Sequence, residues 1–458
     1  MAGKDWKLRA KALKKKVKKL KDQLGAKAPA PASEQALSAL APAAKKAHPI
    51  SPLAPAAFPE LPEIAGVEFA SAAAGVRYKG RTDVMLARLA PGTAIAGAFT
   101  RSSTRAACIL DAQAKLSGRE STEGAAILVN SGNANAFTGA AGQASVDAIT
   151  KAVGEKLGLP ATRVFTSSTG VIGEPLPHEK IVEALDGLSA SLDPKGISAA
   201  ARAIMTTDTF PKGASAVIQG EGGEIHISGI AKGSGMIAPD MATMLVYIFT
   251  DAKIAPAMLQ KMLSRQVDET FNCITVDSDT STSDALILAA TGKSPAAPIS
   301  DLRSKVAKEF DAALKSVMLD LAKQVVRDGE GASKFIEVRV SGAADAQDAH
   351  RVAMAIANSP LVKTAIAGED ANWGRVVMAV GKSGARAERD LLSIRFGDIL
   401  VAEKGWRNPD YSEEETSAYM KKDELVLSVD LGLGSATRTV WTCDLTHGYI
   451  DINADYRS

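Results

Sequence analysis

The sequence has little of the chemistry that metal sites, disulfides and membrane spans require. Its 458 residues include five scattered histidines and three widely spaced cysteines, Cys108, Cys273 and Cys443. An odd, dispersed set of cysteines indicates reduced core residues rather than disulfides or a zinc site. No apolar run reaches the ~20 residues that span a bilayer, and no signal-peptide core is visible at the N-terminus. We therefore expect a cytoplasmic chain without a catalytic metal.

Charge is distributed unevenly along the chain, although the net charge is only +2. Residues 1–46 carry a formal charge of +10 and the remainder carries −8. Residues 1–25 combine lysines with apolar residues at alternating spacings of four and three, which predicts a basic amphipathic helix. Residues 26–57 are rich in alanine and proline, which is typical of an extended linker. The helix could meet an anionic surface, RNA, a membrane face or an acidic partner, or serve only as a solubilising appendage, so its partner stays open.

The remaining chain mixes strand and helix patterns, and its 46% hydrophobic content suffices for a large core. Helices are grouped between hairpins rather than alternating strictly with strands, which favours α+β layers over a doubly wound parallel sheet. A Gly222-Gly223 pair predicts a hairpin turn. The predicted strands are Gly66–Ala73, Ala94–Thr100, Ala125–Asn130, Ala216–Gln219, Ile225–Ile230, Met244–Thr250, Phe335–Val340, Val376–Val380, Leu392–Phe396 and Leu425–Leu431. The predicted helices are Ser145–Leu157, Pro177–Leu188, Pro256–Gln266 and Ile299–Val326, and we expect the last to be interrupted.

The stretch from Lys232 to Leu245 contains the strongest catalytic candidate, Thr243. This threonine follows a loop punctuated by glycine and proline and begins an apolar run, Met244–Phe249. Its hydroxyl could attack the carbonyl of Ala242 and release a new chain that begins at Thr243. The freed α-amino group has an unperturbed pKa near ~8, so it can act as the base for its own hydroxyl. This chemistry requires no separate histidine.

Two other interpretations of the same stretch remain open at this point. Thr243 could be an ordinary residue at the start of a strand. Alternatively, Gly233, Gly235 and Ala238 fit the dinucleotide-binding pattern G-x-G-x-x-A. That pattern must open a helix, whereas Pro239 and the β-rich run after it do not predict one.

Several motifs in one order connect the chain to a known family. From about residue 50 to the C-terminus, the sequence resembles the ornithine acetyltransferase family of arginine biosynthesis. The resemblance implies a layered αββα sandwich of the N-terminal-nucleophile type with a smaller C-terminal part. Its motifs are Asn130–Asn135, Ser168–Gly173, Thr206–Thr209, Lys232–Leu245, Thr275–Thr282, Asp328–Ala332, Gly368–Arg375 and Tyr449–Tyr456.

The resemblance also assigns roles to individual residues. It implies self-cleavage between Ala242 and Thr243 into an α chain, residues 58–242, and a β chain, residues 243–458. It implies an oxyanion hole from the Thr169 hydroxyl and the Gly170 amide, a pair of donors suited to a tetrahedral intermediate. Glu330 would pair with a cationic amine. The implied substrate contacts are Thr206, Lys232, Thr243, Glu330, Asn453 and Ser458.

The implied activity is acetyl transfer from N2-acetyl-L-ornithine to L-glutamate by a ping-pong mechanism. We expect no cofactor, and the motifs leave open whether acetyl-CoA serves as a second donor. The resemblance implies an assembly of two α and two β chains. Two rival functions are an N-terminal-nucleophile amidohydrolase or aminopeptidase and a non-catalytic scaffold or nucleic-acid-binding protein that uses the basic tail.

Overall fold

The computed structural model describes residues 14–16, 18, 19, 49–118, 121–238 and 244–454. Within the first 48 residues, the described positions are helical and exposed. The rest of the predicted helix of residues 1–25 lies outside the described residues, as does the predicted linker up to residue 48. The described residues from 49 to 454 form one compact unit, which contains the fold described next.

The first sheet has four strands in the order β1-β2-β4-β5. All neighbours are antiparallel except β4 and β5, which run parallel. Three helices pack on its outer face, and one of them is followed by Gly158, whose φ of 68° is the left-handed conformation common after a helix. The strands are β1 (Val67–Ala72), β2 (Val84–Leu89), β4 (Ala125–Asn133) and β5 (Val164–Val171), and the helices are α2 (Gly139–Leu157), α3 (His178–Glu183) and α4 (Leu185–Ala190).

The second sheet has five strands in the order β3-β9-β8-β7-β6. Its central strand β8 is buried at all six positions, because both faces of the sheet are covered, and its sequence is accordingly almost wholly apolar. Two long helices, α6 and α7, cover the outer face. The strands are β3 (Ala94–Phe99), β6 (Lys212–Gly220), β7 (Gly223–Lys232), β8 (Leu245–Thr250) and β9 (Ala285–Ala290), and the helices are α6 (Pro256–Glu269) and α7 (Lys305–Arg327).

The inner faces of these two sheets pack against each other. Phe69 of β1 meets Phe249 of β8 edge to face, with ring centroids 5.1 Å apart. Helices α1 (Ala107–Leu116) and α5 (Ile197–Ala203) contribute further side chains to this core. The layers therefore run helices, sheet, sheet, helices, and the predicted αββα sandwich is confirmed.

A third sheet of six strands forms the smaller C-terminal part, in the order β13-β12-β11-β14-β10-β15. Helix α8 packs on β10 and β15. The strands are β10 (Phe335–Ala343), β11 (Ser393–Phe396), β12 (Ile399–Glu403), β13 (Trp406–Arg407), β14 (Glu424–Asp430) and β15 (Ala436–Cys443). The helices are α8 (Ala346–Ala357), α9 (Pro360–Ala367), α10 (Trp373–Gly381), α11 (Glu413–Met420) and α12 (His447–Ala454).

Some local predictions were wrong. Val376–Val380 lies inside α10, and Asn372 caps this helix by accepting a hydrogen bond from the backbone N–H of Arg375. The hairpin turn falls one residue earlier than predicted, since Gly223 already begins β7. Helix α7 begins at Lys305, not at residue 299. No helix in the described part of the chain is long and apolar enough to cross a membrane.

Candidate active site

The predicted oxyanion residues stand near the end of β5, where it runs beside β4. In the parallel register, Gly170 lies opposite Gly132. Gly170 has a φ of 132°, and a Cβ atom there would lie 2.3 Å from the carbonyl carbon of Gly132 and 2.6 Å from the nitrogen of Asn133. Both the backbone conformation and the close approach require glycine. The strand therefore presents the Thr169 hydroxyl next to the backbone of Gly170, which no side chain of its own shields.

Lys232 connects this strand to the second sheet. It is the last residue of β7, its exposed fraction is 8%, and its Nζ atom donates a hydrogen bond to Oγ1 of Thr169 over 3.4 Å. Lys232 also pairs with Leu245, the first residue of β8. The predicted cleavage residues Ala242 and Thr243 lie outside the described residues. Met244, which follows the cleavage position in the sequence, therefore leads into β8 beside the strand end that carries Lys232.

A second contact joins Glu330 to the C-terminal helix α12. Nδ2 of Asn453 donates a hydrogen bond of 2.7 Å to Oε2 of Glu330, whose exposed fraction is 7%. The Glu330 carboxylate packs against Gly235, where a Cβ atom would lie 2.3 Å from Oε2. Two predicted substrate residues therefore meet directly, beside the loop that follows Lys232. The predicted contact Ser458 lies outside the described residues.

Thr206 joins the same region through a buried carboxylate. Its backbone N–H donates to Oδ2 of Asp208 over 2.9 Å. The other oxygen of Asp208 accepts from the backbone N–H of Gly233 at 2.6 Å and from Nζ of Lys212 at 2.7 Å. Asp208 thereby fixes the loop of Thr206 to the residue immediately after Lys232.

Asp328 extends this network to the loop of Glu330. Its Oδ2 atom lies 2.5 Å from Nζ of Lys212, and its backbone carbonyl accepts a 2.6 Å hydrogen bond from the hydroxyl of Ser234. The carbonyl of Ser234 accepts in turn from the backbone N–H of Glu330 at 3.1 Å. One buried ammonium between two carboxylates therefore holds together the segments that carry Thr206, Lys232 and Glu330.

The electrostatics of this triad follow from burial and pairing. Burial opposes the charge of Asp208, but the ammonium groups of Lys212 and Lys232 outweigh it and lower the pKa of Asp208. Burial likewise opposes the charge of Lys212, yet the two carboxylates raise its pKa. Burial, together with the like charge of Asp208, raises the pKa of Asp328. The three groups therefore titrate as one buried unit.

The sequence alone gave no role to the triad. Asp208 and Asp328 were parts of matching motifs, and Lys212 was not singled out. The spacing of four between Asp208 and Lys212 is a weak signal, since such pairs are common on exposed surfaces. Nothing local in the sequence indicates that Asp328, more than a hundred residues away, completes the ion network. Among the described residues, no group of three or more histidine, cysteine, aspartate or glutamate side chains is arranged to hold a metal ion.

A threonine hydroxyl and a glycine amide presented side by side, next to a buried ammonium, can form the oxyanion hole of an acyl-transfer enzyme. The chain belongs to the ArgJ family, whose sequence profile matches residues 68–458. It is 67% identical over 401 residues to the arginine biosynthesis bifunctional protein ArgJ of Ruegeria pomeroyi, covering 88% of this chain and 97% of the relative. It is 52% identical over 403 residues to the protein of that name from Bradyrhizobium diazoefficiens, covering 87% and 97%.

Solved structures are also similar to the chain. The crystal structure of the arginine biosynthesis bifunctional protein argJ from Bacillus halodurans is 44% identical, covers 45% of this chain and 97% of its own, and has a TM-score of 0.44. The L-aminopeptidase D-Ala-esterase/amidase from Ochrobactrum anthropi is 10% identical, covers 60% of this chain and 89% of its own, and has a TM-score of 0.35.

Proposed function

We propose that the chain transfers an acetyl group from N2-acetyl-L-ornithine to L-glutamate in arginine biosynthesis, through an acetyl ester on Thr243. The observation that carries this proposal is the contact between Lys232 and Thr169, at the strand ends beside the residue that follows Thr243. Membership of the ArgJ family supports it, since the relatives are named arginine biosynthesis bifunctional proteins.

The first step is self-cleavage. The Thr243 hydroxyl attacks the carbonyl carbon of Ala242, the acyl group moves from nitrogen to oxygen, and water hydrolyses the resulting ester. The products are a chain that ends at Ala242 and a chain that begins at Thr243. The new α-amino group can then take the proton of the neighbouring hydroxyl, as in other N-terminal threonine nucleophiles.

The second step is acetyl transfer. Thr243 attacks the acetyl carbonyl of acetylornithine, and the Thr169 hydroxyl and the Gly170 amide donate hydrogen bonds to the developing oxyanion. Glu330 pairs with the cationic amine of ornithine, while Lys232 and Thr206 hold the part that both substrates share. Ornithine leaves, and the amine of glutamate attacks the acetyl ester. Asn453 and Ser458 complete the pocket, which keeps water from the ester.

The assembly and compartment follow from the same proposal. The cleaved α chain, residues 58–242, and β chain, residues 243–458, remain together, because β7 and β3 of the α chain pair with β8 and β9 of the β chain, respectively. We propose an assembly of two α and two β chains in the cytoplasm. Three free, buried cysteines are consistent with a reducing compartment. The transfer itself uses no cofactor.

The proposal is tested by incubating the purified chain with acetylornithine and glutamate. Acetylglutamate and ornithine should form in equal amounts, and acetylornithine alone should add the mass of one acetyl group to the chain beginning at Thr243. Thr243→Ala should abolish both signals. A parallel assay with acetyl-CoA and glutamate decides whether this second donor is used.

The same assay separates the rival functions. An amidohydrolase would release free acetate from acetylornithine at a rate independent of glutamate. A non-catalytic scaffold would consume no acetylornithine and would behave identically after Thr243→Ala. Either result would contradict the proposed transfer.

A further inference from the structure

The two substrates of the proposed transfer differ in the charge at the end of their side chains. Ornithine ends in an ammonium group and glutamate ends in a carboxylate. Glu330 is 7% exposed and accepts a hydrogen bond from Asn453, so it suits the ammonium of ornithine but repels the carboxylate of glutamate. Binding of glutamate therefore requires a cationic group that does not already serve a carboxylate of the protein.

Three cations near the site are already engaged. Lys212 is held between two buried carboxylates. Lys232 donates to the hydroxyl of Thr169 and, in the proposed function, holds the part that both substrates share. Nη1 of Arg77 lies 2.6 Å from a carboxylate oxygen of Glu174. None of these three groups is therefore available for the side chain of glutamate.

Arg81 is a fourth cation, and it has no acidic partner among the described residues. The side chain is partly buried. Its Nη2 atom donates to the backbone carbonyls of Met205 and Thr206, the second over 3.2 Å. Within the described part of the chain, these are its only hydrogen bonds. A guanidinium presents five N–H donors in a fork that matches a carboxylate, so Nε and Nη1 of Arg81 keep donors for a ligand.

One set of contacts connects Arg81 to the loop of Thr206. The carbonyl that accepts from Arg81 over 3.2 Å belongs to Thr206, a substrate residue of the proposed function. Asp208 accepts from the backbone N–H groups of both Thr206 and Gly233. Gly233 directly follows Lys232 in the sequence. Arg81 therefore borders the segments that hold the part common to both substrates.

A second set of contacts connects the region of Arg81 to the oxyanion strands. Asp83, two residues after Arg81, accepts at its backbone carbonyl a 2.8 Å hydrogen bond from the N–H of Ser131. Ser131 precedes Gly132, which lies opposite Gly170 in the register of β4 and β5. The segment of Arg81 thus contacts both features that a bound acceptor meets in the proposed function, the Thr206 loop and the oxyanion strands.

We propose that Arg81 binds the side-chain carboxylate of the acceptor glutamate and so determines which amino acid receives the acetyl group. This inference rests on the proposed function and names a residue for its second half. Glu330 serves the ammonium of ornithine, Arg81 serves the carboxylate of glutamate, and the shared part occupies the same position in both. A bidentate contact from a guanidinium favours a carboxylate over the neutral amide of glutamine, which has the same shape.

The experiment measures acetyl transfer to glutamate and to glutamine with one preparation of each variant. Arg81→Gln removes the charge but keeps an N–H donor for the carbonyl of Thr206. It should raise the KM for glutamate by about ten-fold or more, the usual effect of losing a charge-assisted contact. The ratio of kcat/KM for glutamate to that for glutamine should fall by about the same factor, since the amide does not need the guanidinium. Arg81→Lys keeps the charge without the fork and should lie between wild type and Arg81→Gln.

The donor half of the reaction supplies the internal control. Without an acceptor, acetylornithine should release ornithine in an amount equal to the enzyme. Arg81→Gln should leave the rate of this release within about two-fold of wild type, because ornithine carries no side-chain carboxylate. Arg88→Gln is the matched control variant, since Arg88 lies on β2 and donates to Glu68 over 2.7 Å, and it should change neither acceptor.

The outcomes separate this inference from the proposed function. An equal loss with glutamate and glutamine, or an equal rise in KM for acetylornithine and glutamate, would make Arg81 only a support of the Thr206 loop and would overturn the inference. Because both acceptors are measured on one preparation, their ratio does not depend on how much of the variant folds. A wild-type enzyme that transfers acetyl while Arg81→Gln keeps the wild-type ratio overturns the inference alone. A wild-type enzyme that forms no acetylglutamate overturns the proposed function as well.

Discussion

The ammonium of Lys212 lies 2.5 Å from Oδ2 of Asp328, and neither side chain is exposed to solvent. The two residues are separated by more than a hundred positions in the sequence, and Asp208 completes the network on the other side of the ammonium. Because the backbones around both carboxylates continue into the predicted substrate segments, this ion network determines the shape of the site. Its loss should therefore affect both stability and activity.

Lys212→Met should destabilise the fold strongly, because it leaves two buried carboxylates without a cation. Removing one partner of a buried ion pair costs about 3–5 kcal/mol. Urea unfolding monitored by circular dichroism measures this loss. Lys195→Met is the control, since Lys195 is largely exposed and 3.9 Å from Glu63, and such surface pairs contribute about 0–1 kcal/mol. Equal effects of the two substitutions would contradict the role given to Lys212.

The stabilising effect of Asp208 should depend on pH. Its folded pKa is lowered, so its contribution is fully present above the unfolded pKa of ~3.9 and is lost as the pH falls through the folded value. The difference in unfolding free energy between wild type and Asp208→Asn should thus be largest near neutrality and shrink on acidification. Denaturant titrations across the acid range measure it, with Asp301→Asn as an exposed reference. A difference that grows with acidity would contradict the direction of the shift.

Gly170→Ala should abolish acetyl transfer. A Cβ atom at this position would lie 2.3 Å from the backbone of Gly132, so the β4–β5 register must shift and the oxyanion donors must move. Gly173→Ala is the control for backbone strain. Gly173 also has a positive φ, 85°, but a Cβ atom added there would have no other atom within 4 Å. The transfer rate should fall far more in the first variant than in the second, as measured in the acetylornithine–glutamate assay.

Asn453→Ala should weaken substrate binding. It removes the hydrogen bond to Oε2 of Glu330, and a buried acceptor without a donor costs about 1–3 kcal/mol. We expect the KM for acetylornithine to rise by about ten-fold, which corresponds to ~1.4 kcal/mol, with a smaller change in kcat. Self-cleavage should proceed normally, so the same preparation gives an internal check. A change in cleavage with unaltered KM would place Asn453 in a different step.

The sequence predicted the layers of the fold because their signals are local. The strand β8 is an apolar run bounded by a loop, and helix α6 begins with a proline at its first turn. Val376–Val380 was mistaken for a strand because a short apolar run fits either structure, and the cap residue Asn372 was the local signal of a helix that was missed. In the third sheet, β10 pairs with both β14 and β15. These strands are distant from β10 in the sequence, so local signals do not predict their pairing.

The site was predictable only where family motifs marked it. The motifs singled out Thr169, Lys232, Glu330 and Asn453, and the structure places them in two contacting pairs. Lys212 was given no role, because its partner Asp328 lies more than a hundred positions away in the sequence.

The central claim is that Thr243 becomes the N-terminal nucleophile of a cleaved chain. Intact mass of the purified protein, beside its Thr243→Ala variant, tests it most directly. The account predicts two wild-type fragments, one ending at Ala242 and one beginning at Thr243, and a single uncut chain in the variant. A single uncut wild-type chain would contradict the account, because the free α-amino group that serves as its base would not exist.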